Sequence, residues 1–81
     1  MRSAKDVLDM LRWHPNYDIA KAVIWYEDRH APTRERCIAA SEIKEFGPSF
    51  FGVESASIPY HRVFRIEHDG RVVFERPKRS E

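Results

Sequence analysis

Residues 62–76 read Arg62-Val63-Phe64-Arg65-Ile66-Glu67-His68-Asp69-Gly70-Arg71-Val72-Val73-Phe74-Glu75-Arg76, and this stretch decides the fold. Two runs rich in β-branched and aromatic residues flank Asp69-Gly70. That dipeptide suits the two-residue type I′ turn, in which both central residues need positive φ. Such a turn makes 62–68 and 71–76 neighbouring antiparallel strands. It sets His68 opposite Arg71, Ile66 opposite Val73 and Phe64 opposite Glu75.

Upstream of the hairpin, Ile58-Pro59-Tyr60-His61 enters the first of these strands, with proline fixing the approach. The polar stretch 54–57 precedes it, and Phe50, Phe51 and Val53 make a short apolar segment that reads as strand. Gly47-Pro48 has the form of a helix stop, with glycine at C′ and proline forbidding continuation. A brief helix capped by Ser41 and running to Phe46 is therefore expected. Further back, 34–39 reads as a short strand and 19–27 as a longer one, joined by the polar connection 28–33. In the longer strand Ala22, Ile24 and Tyr26 share one face, and Val23 and Trp25 the other.

At the start of the chain Ser3 is a good N-cap, and Asp6 suits the positive end of a helix dipole. Ala4, Val7, Leu8 and Leu11 repeat at helical spacing, and Pro15 forces the preceding residue out of the α region. A helix over 4–13 follows. The whole reads as an α+β fold. A small, largely antiparallel sheet carries the N-terminal helix and the second short helix on one face and ends in the C-terminal hairpin. One domain, 1–76, precedes a frayed basic tail, 77–81.

The bulk numbers narrow the function. With 81 residues, one modest core is available and little apolar inventory is spare, so Trp13 and Trp25 read as core. Fourteen Lys and Arg against 13 Asp and Glu leave a net charge of only +1, which excludes coating nucleic acid by charge alone. A local basic site is still open. Cys37 is the sole cysteine, which excludes an internal disulfide and a cysteine-based zinc site. It reads as a small buried hydrophobe in a reducing cytoplasm. The start of the chain lacks a signal-like apolar segment, and no run approaches the ~18 apolar residues that suggest a membrane span.

No Gly-rich phosphate loop, Ser-His-Asp arrangement or paired-histidine metal motif is legible. His14, His30, His61 and His68 lack metal-ligand spacing, so no metal or other cofactor is expected. Two segments concentrate hydrogen-bonding chemistry: Tyr26-Glu27-Asp28-Arg29-His30 and Ile58-Pro59-Tyr60-His61-Arg62. Arginine presents a planar fork that holds a phosphate by two bonds at once, and histidine adds a further donor. Tyrosine can stack on a base. These are the residue types that a phosphate-bearing RNA end requires. The blander reading of the same residues is a turn cap, a surface ion pair and a core tyrosine. Arg34, Glu35, Arg36, Lys78 and Arg79 read as solvated charges, the alternative being that they trail along a nucleic-acid backbone, and Arg36 reads as away from the proposed site.

At these residues the chain resembles a family of small, mostly archaeal domains proposed to recognise RNA ends bearing a 2′,3′-cyclic phosphate. Related domains are joined to RNA-processing enzymes, 2H-type phosphoesterases among them. The resemblance runs in order through Arg12-Trp13, Tyr26-Glu27-Asp28-Arg29, Ser41-Glu42-Ile43, Phe50-Phe51 and Ile58-Pro59-Tyr60-His61-Arg62-Val63, and ends on the hairpin around Gly70. Phe74 stands where the family pattern often has tryptophan. The resemblance implies that Arg29, His61 and Arg62 hold the phosphate. Asp28 would orient an arginine or bond a ribose hydroxyl, and Tyr26 or Tyr60 would contact the terminal nucleotide. The implied partners are RNA and the enzymes that process it, with no membrane.

Two other classes of function compete with this binding module. A metal-free RNA hydrolase or cyclic phosphodiesterase could use His61 with His30 as acid and base. Against it, 2H enzymes use two His-x-Thr/Ser motifs, and His61-Arg62-Val63 has no hydroxyl at its third position. The other alternative is a protein-interaction adaptor.

Overall fold

The computed structural model describes residues 3–77; of the tail expected to fray, 78–81 lie outside them. Helix α1 spans Ala4–Trp13. Ser3 Oγ accepts from the Asp6 amide at 3.1 Å, and Asp6 Oδ2 accepts from the Ser3 amide at 3.2 Å. This reciprocal capping box satisfies two of the donors that a helix start leaves open. His14, ahead of Pro15, is extended at φ −78°, ψ 129°.

Seven strands follow: β1 (Ala22–Glu27), β2 (Glu35–Ala39), β3 (Glu45–Phe46), β4 (Phe50–Val53), β5 (Ala56–Pro59), β6 (Val63–His68) and β7 (Arg71–Glu75). They form an antiparallel sheet in the order β2-β1-β6-β7 and a second antiparallel sheet in the order β3-β4-β5. The fold is α+β, with α1, the one α-helix among the described residues, in contact with β6 and β7. The buried α1 residues Ala4, Val7, Leu8 and Leu11 meet Ala22 and Ile24 of β1 and Val63 and Ile66 of β6. Phe51 and Ile58 bring the second sheet into the same core. Burying such side chains contributes ~1.5–3 kcal/mol each, and Leu8, Leu11, Ile24, Phe51, Val63 and Ile66 are fully buried.

The turn at Asp69-Gly70 has φ values of 51° and 82°, as type I′ geometry demands. His68 pairs with Arg71 as expected, but beyond it the register slips by one. Ile66 faces Phe74 rather than Val73, and Arg65 rather than Phe64 faces Glu75. The bulge in β7 lets Val73 and Phe74, adjacent in sequence, both pack against the core. A matching irregularity in β6, between Arg65 (opposite Trp25) and Val63 (opposite Tyr26), sets Phe64 aside. Phe64 is buried, yet outside the main core.

Other expectations are corrected by the structure. The strand expected over 19–27 begins at Ala22, because Asp18 caps a 3₁₀ turn over Ile19–Lys21 by accepting from the Ala20 amide at 3.0 Å. Arg34 stands outside β2 with φ 61°. The helix expected over 41–46 is a 3₁₀ turn, Ala40–Glu42, followed by β3. Six residues are too few to offset helix nucleation, whereas strand pairing with β4 is at hand. Gly47-Pro48 accordingly turns a hairpin: the Gly47 amide donates to Phe50 O at 2.9 Å. Trp13 is not core but 72% exposed, and Cys37 is exposed as well. No helix among the described residues is long and apolar enough to cross a membrane.

Candidate nucleic-acid interface

The register of β1 against β6 sets Tyr26 opposite Val63. β1 therefore runs out into the 28–34 loop at the same end of the sheet where the 3₁₀ turn Tyr60–Arg62 runs in. The two polar segments, some thirty residues apart in sequence, leave the sheet side by side.

The 28–34 loop is held by its own backbone. Asp28 N donates to Arg34 O (2.9 Å), Arg34 N to Ala31 O (3.0 Å) and Ala31 N to Asp28 O (3.2 Å). Ala31 is buried beneath it. The Asp28 carboxylate does two things at once. Its Oδ1 accepts from the His30 amide at 2.9 Å, and its Oδ2 pairs with Arg36 Nε at 2.7 Å. The amide bond, foremost, and then the Arg36 charge hold the carboxyl below the ordinary 3.8. Arg29 and His30 are exposed on the outside of this loop.

Arg36 corrects the expectation of a charge remote from any site. It sits opposite Tyr26 in the β1–β2 register and is the arginine that Asp28 grips. The connection expected over 28–33 would have set Glu35 opposite Tyr26; the loop closes one residue later, with Arg34 inside it, and so brings Arg36 there. Tyr26 is half-buried against the core, and that burial, followed by the Asp28 charge, pushes its hydroxyl above the ordinary 10.

The second segment divides sharply between inside and outside. Tyr60 is 7% exposed, its ring tilted against Phe51 with centroids 5.5 Å apart. Its hydroxyl donates to Gly47 O at 2.9 Å, and its amide to Ser49 O at 3.1 Å. Tyr60 thus ties the turn down onto the β3–β4 hairpin, and its ring is not offered to a ligand. His61 and Arg62, the next two residues, are exposed. Chemically, this end of the sheet presents arginine and histidine donors on two short, anchored turns, which suits an anion of one or two charges.

Fold and rim together define a small α+β domain with exposed arginine and histidine donors at one end. The chain belongs to the family described as the MJ1316 RNA cyclic group end recognition domain, whose model matches residues 1–76. Its relatives are archaeal. A UPF0248 protein of Archaeoglobus fulgidus is 39% identical over 71 residues, which cover 86% of this chain and 100% of the relative. One from Methanopyrus kandleri is 39% identical over 66 residues, 82% of this chain and 89% of the relative. A third, from Pyrococcus furiosus, is 37% identical over 79 residues, 96% and 93% of the two chains. No solved structure matches the chain.

Proposed function

We propose that this protein is a binding module for RNA 3′ termini carrying a 2′,3′-cyclic phosphate, acting in RNA processing or repair in the cytoplasm. One observation carries the reading: the exposed His61-Arg62 turn leaves the sheet beside the 28–34 loop, with Tyr26 opposite Val63 at their base. The family description supports the choice of RNA end.

In this reading Arg62 and Arg29 hold the two non-bridging phosphate oxygens, and His61 donates to a ring oxygen. Asp28, through Arg36 and the His30 amide, keeps the loop in shape. Tyr26 lies against the terminal nucleotide, while Tyr60 anchors the turn from beneath. A cyclic phosphate carries one charge, whereas an open monoester carries about 1.5–2 at neutral pH. A site reading charge alone would prefer the open form. A shaped site with few cations prefers the ring, which fits a chain with a net charge of +1.

The test compares matched oligonucleotides ending in cyclic phosphate, 3′-phosphate or free hydroxyls. The cyclic end binds tightest and is not turned over. Binding falls shallowly with salt, by about −0.7 in log K per log salt for each phosphate contact. Arg62→Ala costs ~1.5–3 kcal/mol for the loss of a charge-assisted bond. Equal affinity for cyclic and hydroxyl ends, unmoved by Arg62→Ala, would refute end recognition.

A further inference from the structure

Trp13 is the largest departure of this molecule from economical packing. It closes α1 with 72% of its surface exposed, in a domain too small to leave an indole outside without use. Nor is the side chain loose. The Arg12 guanidinium lies 4.6 Å from the Trp13 ring centroid and 4.1 Å from that of Phe46. Arg12 is itself held by Asp9 Oδ1 at 3.7 Å, and Asp9 Oδ2 by Lys5 Nζ at 2.9 Å. Phe46 packs against the core. The Arg12 guanidinium is thus shared between Phe46, packed on the core, and the exposed Trp13.

This arrangement is also joined to the proposed terminus site. Gly47, directly after Phe46, accepts the Tyr60 hydroxyl at 2.9 Å, and Tyr60 directly precedes His61 and Arg62. Phe46, beneath the Arg12 guanidinium, thus adjoins the carbonyl that anchors the Tyr60 turn, while the indole itself lies toward the His68 end of the sheet, within reach of an RNA several nucleotides long.

We propose that Trp13, backed by Arg12, is a stacking platform for a base upstream of the RNA 3′ end, so that the protein binds an oligonucleotide end rather than a lone cyclic nucleotide. This deepens the end-recognition reading and rests on it for the position of the terminus. A nucleobase suits the platform better than an aliphatic side chain does. Its π-face matches the indole, and its phosphate is attracted by the adjacent guanidinium. Because every base has such a face, the contact tolerates sequence.

The experiment titrates wild type, Trp13→Ala and Trp13→Phe with a 2′,3′-cyclic mononucleotide and with tetranucleotides ending in cyclic phosphate or hydroxyls. The cyclic-ended tetranucleotide binds wild type about tenfold tighter than the mononucleotide, ~1.4 kcal/mol and within the ~1–3 kcal/mol of one aromatic–base stack. Trp13→Ala erases that gain and leaves mononucleotide binding and the thermal midpoint unchanged; Trp13→Phe keeps most of it. Tetranucleotide binding quenches the indole emission of wild type, and in Trp13→Phe, where Trp25 alone reports, the quenching is lost. A full gain retained in Trp13→Ala would overturn the platform. Tetranucleotides that bind equally with either end, and lose affinity in Trp13→Ala, would uphold the platform while end recognition fails. Failure of wild type to bind any of these RNAs would overturn both, leaving Trp13 to a protein partner.

Discussion

Replacing Tyr60 with phenylalanine removes one oxygen and nothing else, which makes its consequence calculable. The ring, 7% exposed and packed on Phe51, is retained. What disappears is the 2.9 Å bond to Gly47 O between the Tyr60 turn and the β3–β4 hairpin. A typical net hydrogen bond contributes ~0.5–1.5 kcal/mol, and a partly buried carbonyl left without its donor raises the cost toward ~2 kcal/mol. A domain of 60–100 residues loses ~4–8 °C in thermal midpoint per kcal/mol. Tyr60→Phe should therefore melt ~2–16 °C below wild type, a shift that thermal denaturation resolves. Alkali supplies a second signature. Burial holds the Tyr60 hydroxyl above the ordinary 10 in the folded protein. The unfolded chain then releases its proton first, so this contribution to stability is fully present below pH 10 and is lost as pH rises through the folded value. The decline in stability above pH 10 should be shallower in Tyr60→Phe than in wild type, with Tyr26 and the Asp9-paired Lys5 among the groups that still contribute. Affinity for a cyclic-ended RNA, measured where both proteins are folded, should barely change. An unchanged midpoint at pH 7 and an unchanged alkaline slope would refute the tether. Lost affinity in a fully folded variant would instead put the hydroxyl in contact with the nucleotide.

Asp28 gives the opposite sign in acid. Its carboxyl is held below 3.8, so its contribution to loop order is complete above that pH and is lost as pH falls through the lower, folded value; NMR of the His30 amide between pH 5 and 2 should follow it. Arg36→Ala should raise the Asp28 midpoint only in part, because the His30 amide is the larger cause, and a wild-type midpoint at or above 3.8 would refute the arrangement. The two turn glycines should respond unequally to alanine. At Gly70, φ is 82° and no neighbour lies within 4 Å of a new Cβ, so the cost is backbone strain alone, ~1–2 kcal/mol. At Gly47 the Cβ would stand 2.7 Å from the backbone oxygen of Phe50, so the hairpin itself has to open. Urea midpoints should rank wild type above Gly70→Ala above Gly47→Ala, and the reverse order for the two variants would count against the reading.

What the sequence by itself determined are the features whose causes lie within a few residues. Ser3 and Asp6 cap a helix that Pro15 ends, and Asp69-Gly70 turns a hairpin, because capping bonds and φ preferences involve only neighbours. That Arg29, His61 and Arg62 hold a phosphate was implied by the family resemblance and belongs to the proposal, not to local geometry. The tertiary structure alone decided what depends on partners far along the chain. Val73 and Phe74 could both reach the core only through a bulge, and that moved the register by one. Glu45 and Phe46 became strand because β4 lay within pairing distance, against a local pattern that suggested helix. The β1–β6 pairing set the 28–34 loop beside the Tyr60–Arg62 turn, and the β1–β2 pairing made Arg36 the partner of Asp28. Tyr60 and Trp13 carry the same contrast on single side chains. Both are aromatic; Trp13 read as core, and Tyr60 as either core or ligand contact. The first is sealed by Phe51 and Gly47, and the second stands in solvent on Arg12, because burial is settled by what other segments leave uncovered and not by the identity of the residue.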